Sequence, residues 1–559
     1  MKSTLENQEG HTMNTHTTRR YTLLLALLLV LAGCATQSQP SGEATIGPTA
    51  ADATTLVVAV SGDYESFDPC IGGSPRTTEI VASVYDTPVT FKVEQHEGYQ
   101  KQVLDDATGW VPHLAEAVEV SDDNRVITFT LRDDVQFYPS GNQMTADDWY
   151  WTWERQLSEP PIGFCAFENA EAGIEEIDSI AIVDDYTIRI TLDQPNPRAL
   201  AYMRLVDFAI LDSEVVQQHT TPDDPWAAEW LATNSAGSGP YFIAEHTPGS
   251  ELVLERNPLY WGETPYFERV ILRVVPSVAT RVALVRSGDV DIAQNIPARE
   301  AASLEAVPGI NVLSIPVGNR VTLAMNLEAE PWQDTLALRQ AIAYAVPYDE
   351  IIEKAFFGQA RRYRSYVLEG VPGYSGAGFD YETDPEQARA LLAEAGYADD
   401  GLDVTLTINT AFPEYETAAV LIQDALGEIG INVEIERLQP GVFVERWFAK
   451  ELNFFIYDGI AWLDDPSTIV ALWMVSDSFA NYTHFSDPQV DAIQEEWRYQ
   501  PDSPQRREAY AEAQRLYNEQ LSVIYLALPD FLLVTRDDIA GYTLYKDTNT
   551  HYQDLWREE

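Results

Sequence analysis

Between residues 400 and 465 the hydrophobic pattern changes period twice, and this constrains the architecture more than any other stretch. Val404, Leu406 and Ile408 alternate as a half-buried strand does, residues 415–429 carry apolar side chains at helical spacing up to Gly430, and Ile431, Val433 and Ile435 alternate again. Strand, helix and strand in that order predict a βαβ unit, whose two strands run parallel through a right-handed crossover. A helix over about 441–449 then leads to a third strand at 452–457. Upstream, Asp384-Pro385 opens a helix that stops at Gly396. An α/β lobe of this kind takes its ligand beyond the carboxyl ends of its strands. That directs attention to the loop Asp458-Gly459-Ile460-Ala461-Trp462-Leu463-Asp464-Asp465-Pro466.

The rest of the chain mixes strands and helices without a short repeat. Leu56-Val57-Val58-Ala59-Val60, residues 126–131 and residues 186–192 read as strands, and Thr145 is placed to cap an aromatic helix. At 559 residues the chain exceeds what one hydrophobic core organises, so two or three domains are expected. There are 88 Asp and Glu against 35 Lys and Arg, a net charge of −53. Such a polyanion repels phosphate backbones, so nucleic acid is not an expected partner. The acids are scattered in short pairs such as Asp105-Asp106 and Asp223-Asp224, which fits a solvated surface in a salt-tolerant or acid-adapted habitat.

The N-terminus has the anatomy of an export signal: Arg19 and Arg20, an apolar run over 22–32, and small residues before a cysteine. Leu31-Ala32-Gly33-Cys34 looks like a bacterial lipobox, in which Cys34 is lipidated and becomes the mature N-terminus. An ordinary secretory signal is the alternative, and translation can start at Met1 or Met13. Residues 1–33 are then a lipoprotein signal peptide and 34–53 a small, polar, flexible tether. Cys70 and Cys165 remain; in an oxidising envelope they can pair as a disulfide, or stay as two buried thiols.

Signatures of catalysis are missing. The sequence has no His-Glu-x-x-His, no Gly-x-Ser-x-Gly, no phosphate loop and no Cys/His spacing suited to a metal, so no cofactor and no metal are expected. Trp149 and Trp153 share a helix face and read as core. Trp462 stands in the post-strand loop beside Asp464 and Asp465, a make-up suited to a neutral or cationic organic ligand.

Seven further segments, in order, carry a family resemblance. The most specific is the stretch from Leu114-Ala115-Glu116-Ala117 through Ile127-Thr128-Phe129-Thr130-Leu131-Arg132-Asp133-Asp134 to Thr145-Ala146-Asp147-Asp148. The others include Ser66-Phe67-Asp68-Pro69, Gly237-Ser238-Gly239-Pro240-Tyr241, Arg256-Asn257-Pro258-Leu259-Tyr260-Trp261 and Ala390-Leu391-Leu392-Ala393-Glu394-Ala395-Gly396-Tyr397. Together they resemble the family 5 extracellular solute-binding proteins of ABC importers, the oligopeptide- and dipeptide-binding group, over essentially the whole mature chain.

The resemblance implies a two-lobed α/β fold of the periplasmic-binding-protein type (type II, large, with an extra subdomain), hinged around an interlobe ligand cleft. Lobe I would comprise 54–322 and a C-terminal return over 523–559, and lobe II 323–522. The protein would be a monomer, tethered outside the cytoplasmic membrane by its lipid alone. It would capture a peptide or another small solute, close on it, and deliver it unchanged to the permease subunits of an ABC transporter. Peptide-binding members hold the ligand's amino group with an aspartate in a Trp-x-x-Asp-Tyr-x-Asp-Pro motif. Here Trp462-Leu463-Asp464-Asp465-Pro466 is shorter and lacks the tyrosine. Asp464 is then the candidate amine anchor, Asp465 the acid before proline and Trp462 an apolar wall, with Phe67 as a fourth ligand-binding candidate. The shortened motif leaves oligosaccharides and other solutes as alternatives to peptides, and a secreted hydrolase using a carboxylate pair as a more distant one.

Overall fold

The computed structural model describes residues 53–558 apart from 72–74, 97, 104–107, 161, 334, 398–400, 462 and 546–548. The export signal, the tether, Cys34 and Trp462 therefore lie outside the described residues.

The βαβ unit forms as its pattern predicts. Leu402–Asn409 and Ile431–Leu438 pair in parallel, Val404 opposite Val433 and Leu406 opposite Ile435, with the helix Pro413–Glu428 between them. The alternation works because Leu406, Ile408 and Ile431 have no exposed surface while Asp403 and Glu434 point to solvent. Pro440–Phe448 is the next helix, and Phe454–Gly459 the third strand, parallel to Leu402–Asn409 through Thr407 and Phe455. Asp384 caps the helix Pro385–Glu394 by accepting from the N–H groups of Glu386 and Gln387.

These strands belong to a twelve-stranded sheet whose centre is the 14-residue strand Val523–Arg536. Its first half pairs antiparallel with Arg320–Met325, and its second half with Ile310–Pro316 and Ile292–Ala293. Beyond Arg320–Met325 the sheet continues through Phe454–Gly459 into the βαβ unit. On the other side it continues through Thr55–Val60 and Arg269–Val274 to a hairpin, Tyr241–Thr247 and Glu251–Arg256. A separate four-stranded antiparallel sheet, which contains Val126–Leu131 and Thr187–Thr191, packs against the helix Ala146–Gln156. Trp149 and Trp153 of that helix are buried in its core, as their spacing predicts.

The buried side chains follow this division, and the fold is α/β and two-lobed. The largest apolar cluster is drawn from Val321 through Leu528. Three others are built almost wholly from segments before Pro316 and after Asp530. The Gly237-x-Gly239 segment is a packing device: a Cβ on Gly239 would fall 2.4 Å from the carbonyl carbon of Val84. Cys70 and Cys165 are joined in a disulfide, Cα atoms 5.1 Å apart. Cys165 opens the helix Cys165–Ala172.

Candidate functional site

A cavity of about 890 Å³ opens where the sheet passes between the two groups of cores. Pro316, Val317 and Gly318 line it from one crossing segment and Leu528 from the other. Its remaining walls come from the segment 361–374, the loop after the strand Phe454–Gly459, the start of the helix Pro504–Gln520, and Lys101, Arg198 and Tyr545. The expected loop is thus on the wall, through Ile460, Asp464, Asp465 and Pro466.

Four residues of that loop differ in their surroundings. Asp458, one residue before the strand's end, is half-buried against Tyr415 and Asn319; desolvation pushes its carboxyl above the ordinary value, against those hydrogen bonds. Leu463 turns away from its own lobe's core and is fully buried among Phe129, Trp149 and Tyr202 of the four-stranded sheet's cluster. Asp464 faces the cavity within the fields of Lys101 and Arg320. Asp465 caps the helix Pro466–Trp473 by accepting from Ser467 N–H at 2.8 Å. It also accepts from Arg506, with Nη1 3.0 Å from Oδ2, and its Oδ1 lies 3.7 Å from Arg198 Nε. Burial would raise the Asp465 carboxyl, but Arg198 and Arg506 outweigh it and hold the group well below the usual carboxylate range.

The same neighbourhood ties residues 165–202 to residues 463–498. Tyr202 Oη and Thr468 Oγ1 are 2.9 Å apart, Arg498 pairs with Glu171, and Arg198 donates to the Arg498 carbonyl as well as facing Asp465. Beneath the cavity an aromatic bed is buried: Tyr366 stacks on Trp473 at 4.7 Å, and Tyr525 meets Tyr363 at 4.9 Å. Burial raises the hydroxyls of Tyr363, Tyr366 and Tyr525, so all three are neutral donors at ordinary pH.

Of the four residues expected to hold ligand, the structure brings Asp464 and Asp465 together on one wall. Phe67 is elsewhere: it is 1% exposed, packs edge-on against His246 at 5.2 Å within the core, and does not line the cavity. Its neighbour Asp68 is likewise structural, in a buried ion pair with Arg155 beside the disulfide. Sequence reasoning missed the arginines. Arg361-Arg362-Tyr363-Arg364 is a dense basic run for a chain with only 35 Lys and Arg, and that density was the available signal. Arg198, Arg506 and Lys101 are isolated in sequence and carried none. No group of three or more His, Cys, Asp or Glu able to hold a metal occurs among the described residues, and no helix there is long and apolar enough to cross a membrane.

The profile of bacterial extracellular solute-binding proteins, family 5 Middle, matches residues 109–481, most of the chain. The chain belongs to that family. Solute-binding proteins of family 5 capture a solute without transforming it, and the cavity has the size of such a site. Among its relatives is the probable D,D-dipeptide-binding periplasmic protein of Escherichia coli (strain K12), 25% identical over 492 residues, 87% of this chain and 91% of that protein. Di/tripeptide-binding protein 2 of Pseudomonas aeruginosa (strain UCBPP-PA14) is 28% identical over 545 residues, 94% of this chain and 96% of that one. A solved structure, the periplasmic binding protein DppA from Helicobacter pylori in complex with the peptide STSA, superposes with a TM-score of 0.76 at 25% identity. It covers 90% of this chain and 98% of that one. This family 5 protein thus shares the whole architecture, not only the matched middle.

Proposed function

We propose that this protein is a lipid-anchored, extracytoplasmic receptor that captures short peptides and hands them to the permease of an ABC importer. The observation that carries the reading is the cavity at the sheet's crossing, about 890 Å³ and walled by Asp464 on the post-strand loop. That volume suits a ligand of a few residues, and relatives named for di- and tripeptides support the class. Asp464 is the proposed partner for the ligand's amino group and Trp462 its apolar wall, while Asp465 holds the loop through Arg506 and the helix cap. The protein acts as a monomer and reaches the membrane only through lipid on Cys34, a reading that rests on the lipobox.

Capture works by hinge closure, in which ligand contacts made only in the closed state shift the population. The family resemblance implies crossings between 54–322, 323–522 and 523–559. The change of pairing partner at 317–320 and 528–530 favours a hinge a few residues from both points. Contacts such as Tyr202 to Thr468 and Arg198 to Asp465 would then form on closure. Small-angle scattering tests this: the radius of gyration should fall when a bound peptide saturates the protein, and an unchanged radius contradicts closure. The amine anchor has its own test. A buried carboxylate removed from a ligand ammonium costs roughly 3–5 kcal/mol, so Asp464→Asn should weaken an amine-bearing peptide about 10²- to 10³-fold or somewhat more. Equal affinity for N-acetylated and free peptides would remove Asp464 from that role.

A further inference from the structure

The cavity's charge is opposite to that of the molecule around it. Seven of its lining side chains are Lys or Arg and four are Asp or Glu, whereas the chain carries 35 and 88. The acids of the wall are already answered. Asp465 is shared by two arginines, Arg506 and Arg198, whose side chains are 3% and 7% exposed. Asp502 is paired with Arg507. Asp464 lies in the fields of both Lys101 and Arg320, and Glu369 is exposed to solvent.

Positive charge is left over. The Lys101 ammonium makes no hydrogen bond or ion pair within 4 Å among the described residues, and burial pulls it below the ordinary value against the field of Asp464. Arg320 is fully buried beside Gly318 and over the Trp473 ring, and only backbone carbonyls accept from it, those of Tyr366 and Gly318. The counter-ions of Arg362 and Arg364, namely Glu382 and Asp380, are 62% and 85% exposed and so hold them weakly. Three arginines at or beneath the wall also keep a buried N–H with no acceptor: Arg198 Nε, Arg320 Nη2 and Arg362 Nε. The reverse case, a buried cavity carboxylate oxygen lacking a donor, does not occur among the described residues. Unanswered donors and unpaired cations ask for the same thing, a ligand rich in acceptor oxygens and negative charge.

We infer that the cavity selects ligands whose carboxylates outnumber their ammonium groups. On the peptide reading, which this inference deepens, those are short peptides carrying an Asp or Glu side chain besides the terminal carboxylate. One terminal carboxylate balances the one amino group that Asp464 would take, so it leaves the surplus of the wall in place. A second carboxylate removes it. Lys101 is the specificity-determining residue because it is the least committed cation there.

Calorimetry on the whole protein with pairs of ligands that differ by one carboxylate tests this. Alanylglutamate should bind at least about tenfold more tightly than alanylglutamine, a difference of about 1.4 kcal/mol, and alanyllysine should be weakest. Lys101→Gln should shrink the glutamate-to-glutamine ratio by weakening alanylglutamate more than alanylglutamine. Galacturonate and galactose, run in parallel, separate the two claims. If no peptide binds but galacturonate exceeds galactose, the peptide reading fails and the charge preference stands. If peptides bind and alanylglutamine or alanyllysine equals alanylglutamate, the charge preference is wrong and the peptide reading stands. If neither acid binds at all, the inference is overturned.

Discussion

Replacing Asp465 by Asn removes one negative charge from the place where the post-strand loop, the helix Pro504–Gln520 and Arg198 meet. Asparagine caps a helix as well as aspartate does, so the start of Pro466–Trp473 should survive and the lost cap contributes little. What remains is electrostatic. Arg506 and Arg198, 3% and 7% exposed, would lose the carboxylate that justifies their burial. Breaking a buried pair by removing one partner costs roughly 3–5 kcal/mol. For a cooperative unit of 150–250 residues that corresponds to a fall in melting temperature of about 6–20 °C. The effect also has a signature in pH. The folded-state carboxyl is held below its unfolded value, so it contributes stability above about pH 4 that is lost as pH falls towards the folded value. Scanning calorimetry of wild type and Asp465→Asn should therefore show the full gap at pH 6 and a shrinking one below pH 4. A variant that melts within about 2 °C of wild type at pH 6 would refute the assignment of Asp465 as the loop's charge anchor.

Three further outcomes are expected. Glu168 and Asp207 are buried facing one another; burial raises both carboxyls, Asp207 to about 6. The folded state thus holds extra proton, stability falls as pH rises through that value, and Glu168→Gln should flatten the loss seen by urea unfolding between pH 5 and 8. Cys70→Ser should cost about 2–5 kcal/mol in the same assay, because the disulfide closes a loop of 95 residues; a loss under about 1 kcal/mol would mean the link is dispensable. Cys34→Ser should move the protein out of the membrane fraction, and equal retention there would contradict the lipid anchor.

The βαβ unit was legible because its apolar residues keep strict periods of two and of 3.6 over consecutive segments, and the order of elements then leaves one handedness. The presence of the post-strand loop on the cavity wall was legible for the same reason, since a loop at the carboxyl end of a strand is placed by the strand. Phe67 shows the limit. A conspicuous aromatic in a matched motif reads alike whether it faces ligand or core, and here it packs on His246 in the core. The cationic wall shows another. Arg198, Arg320 and Arg506 are brought together around Asp464 and Asp465 by contacts between segments far apart in the chain, which no local pattern encodes. Leu463 was equally hidden, an ordinary leucine whose burial depends on a sheet formed far earlier in the chain, between Ala115 and Thr191.

Native mass spectrometry of the protein isolated from its own source tests the central claim most directly. A single noncovalent adduct is expected, released intact, fragmenting as a short peptide, and diminished in Asp464→Asn. An adduct that proves to be a sugar or another non-peptide, or a peptide retained equally by Asp464→Asn, would contradict it.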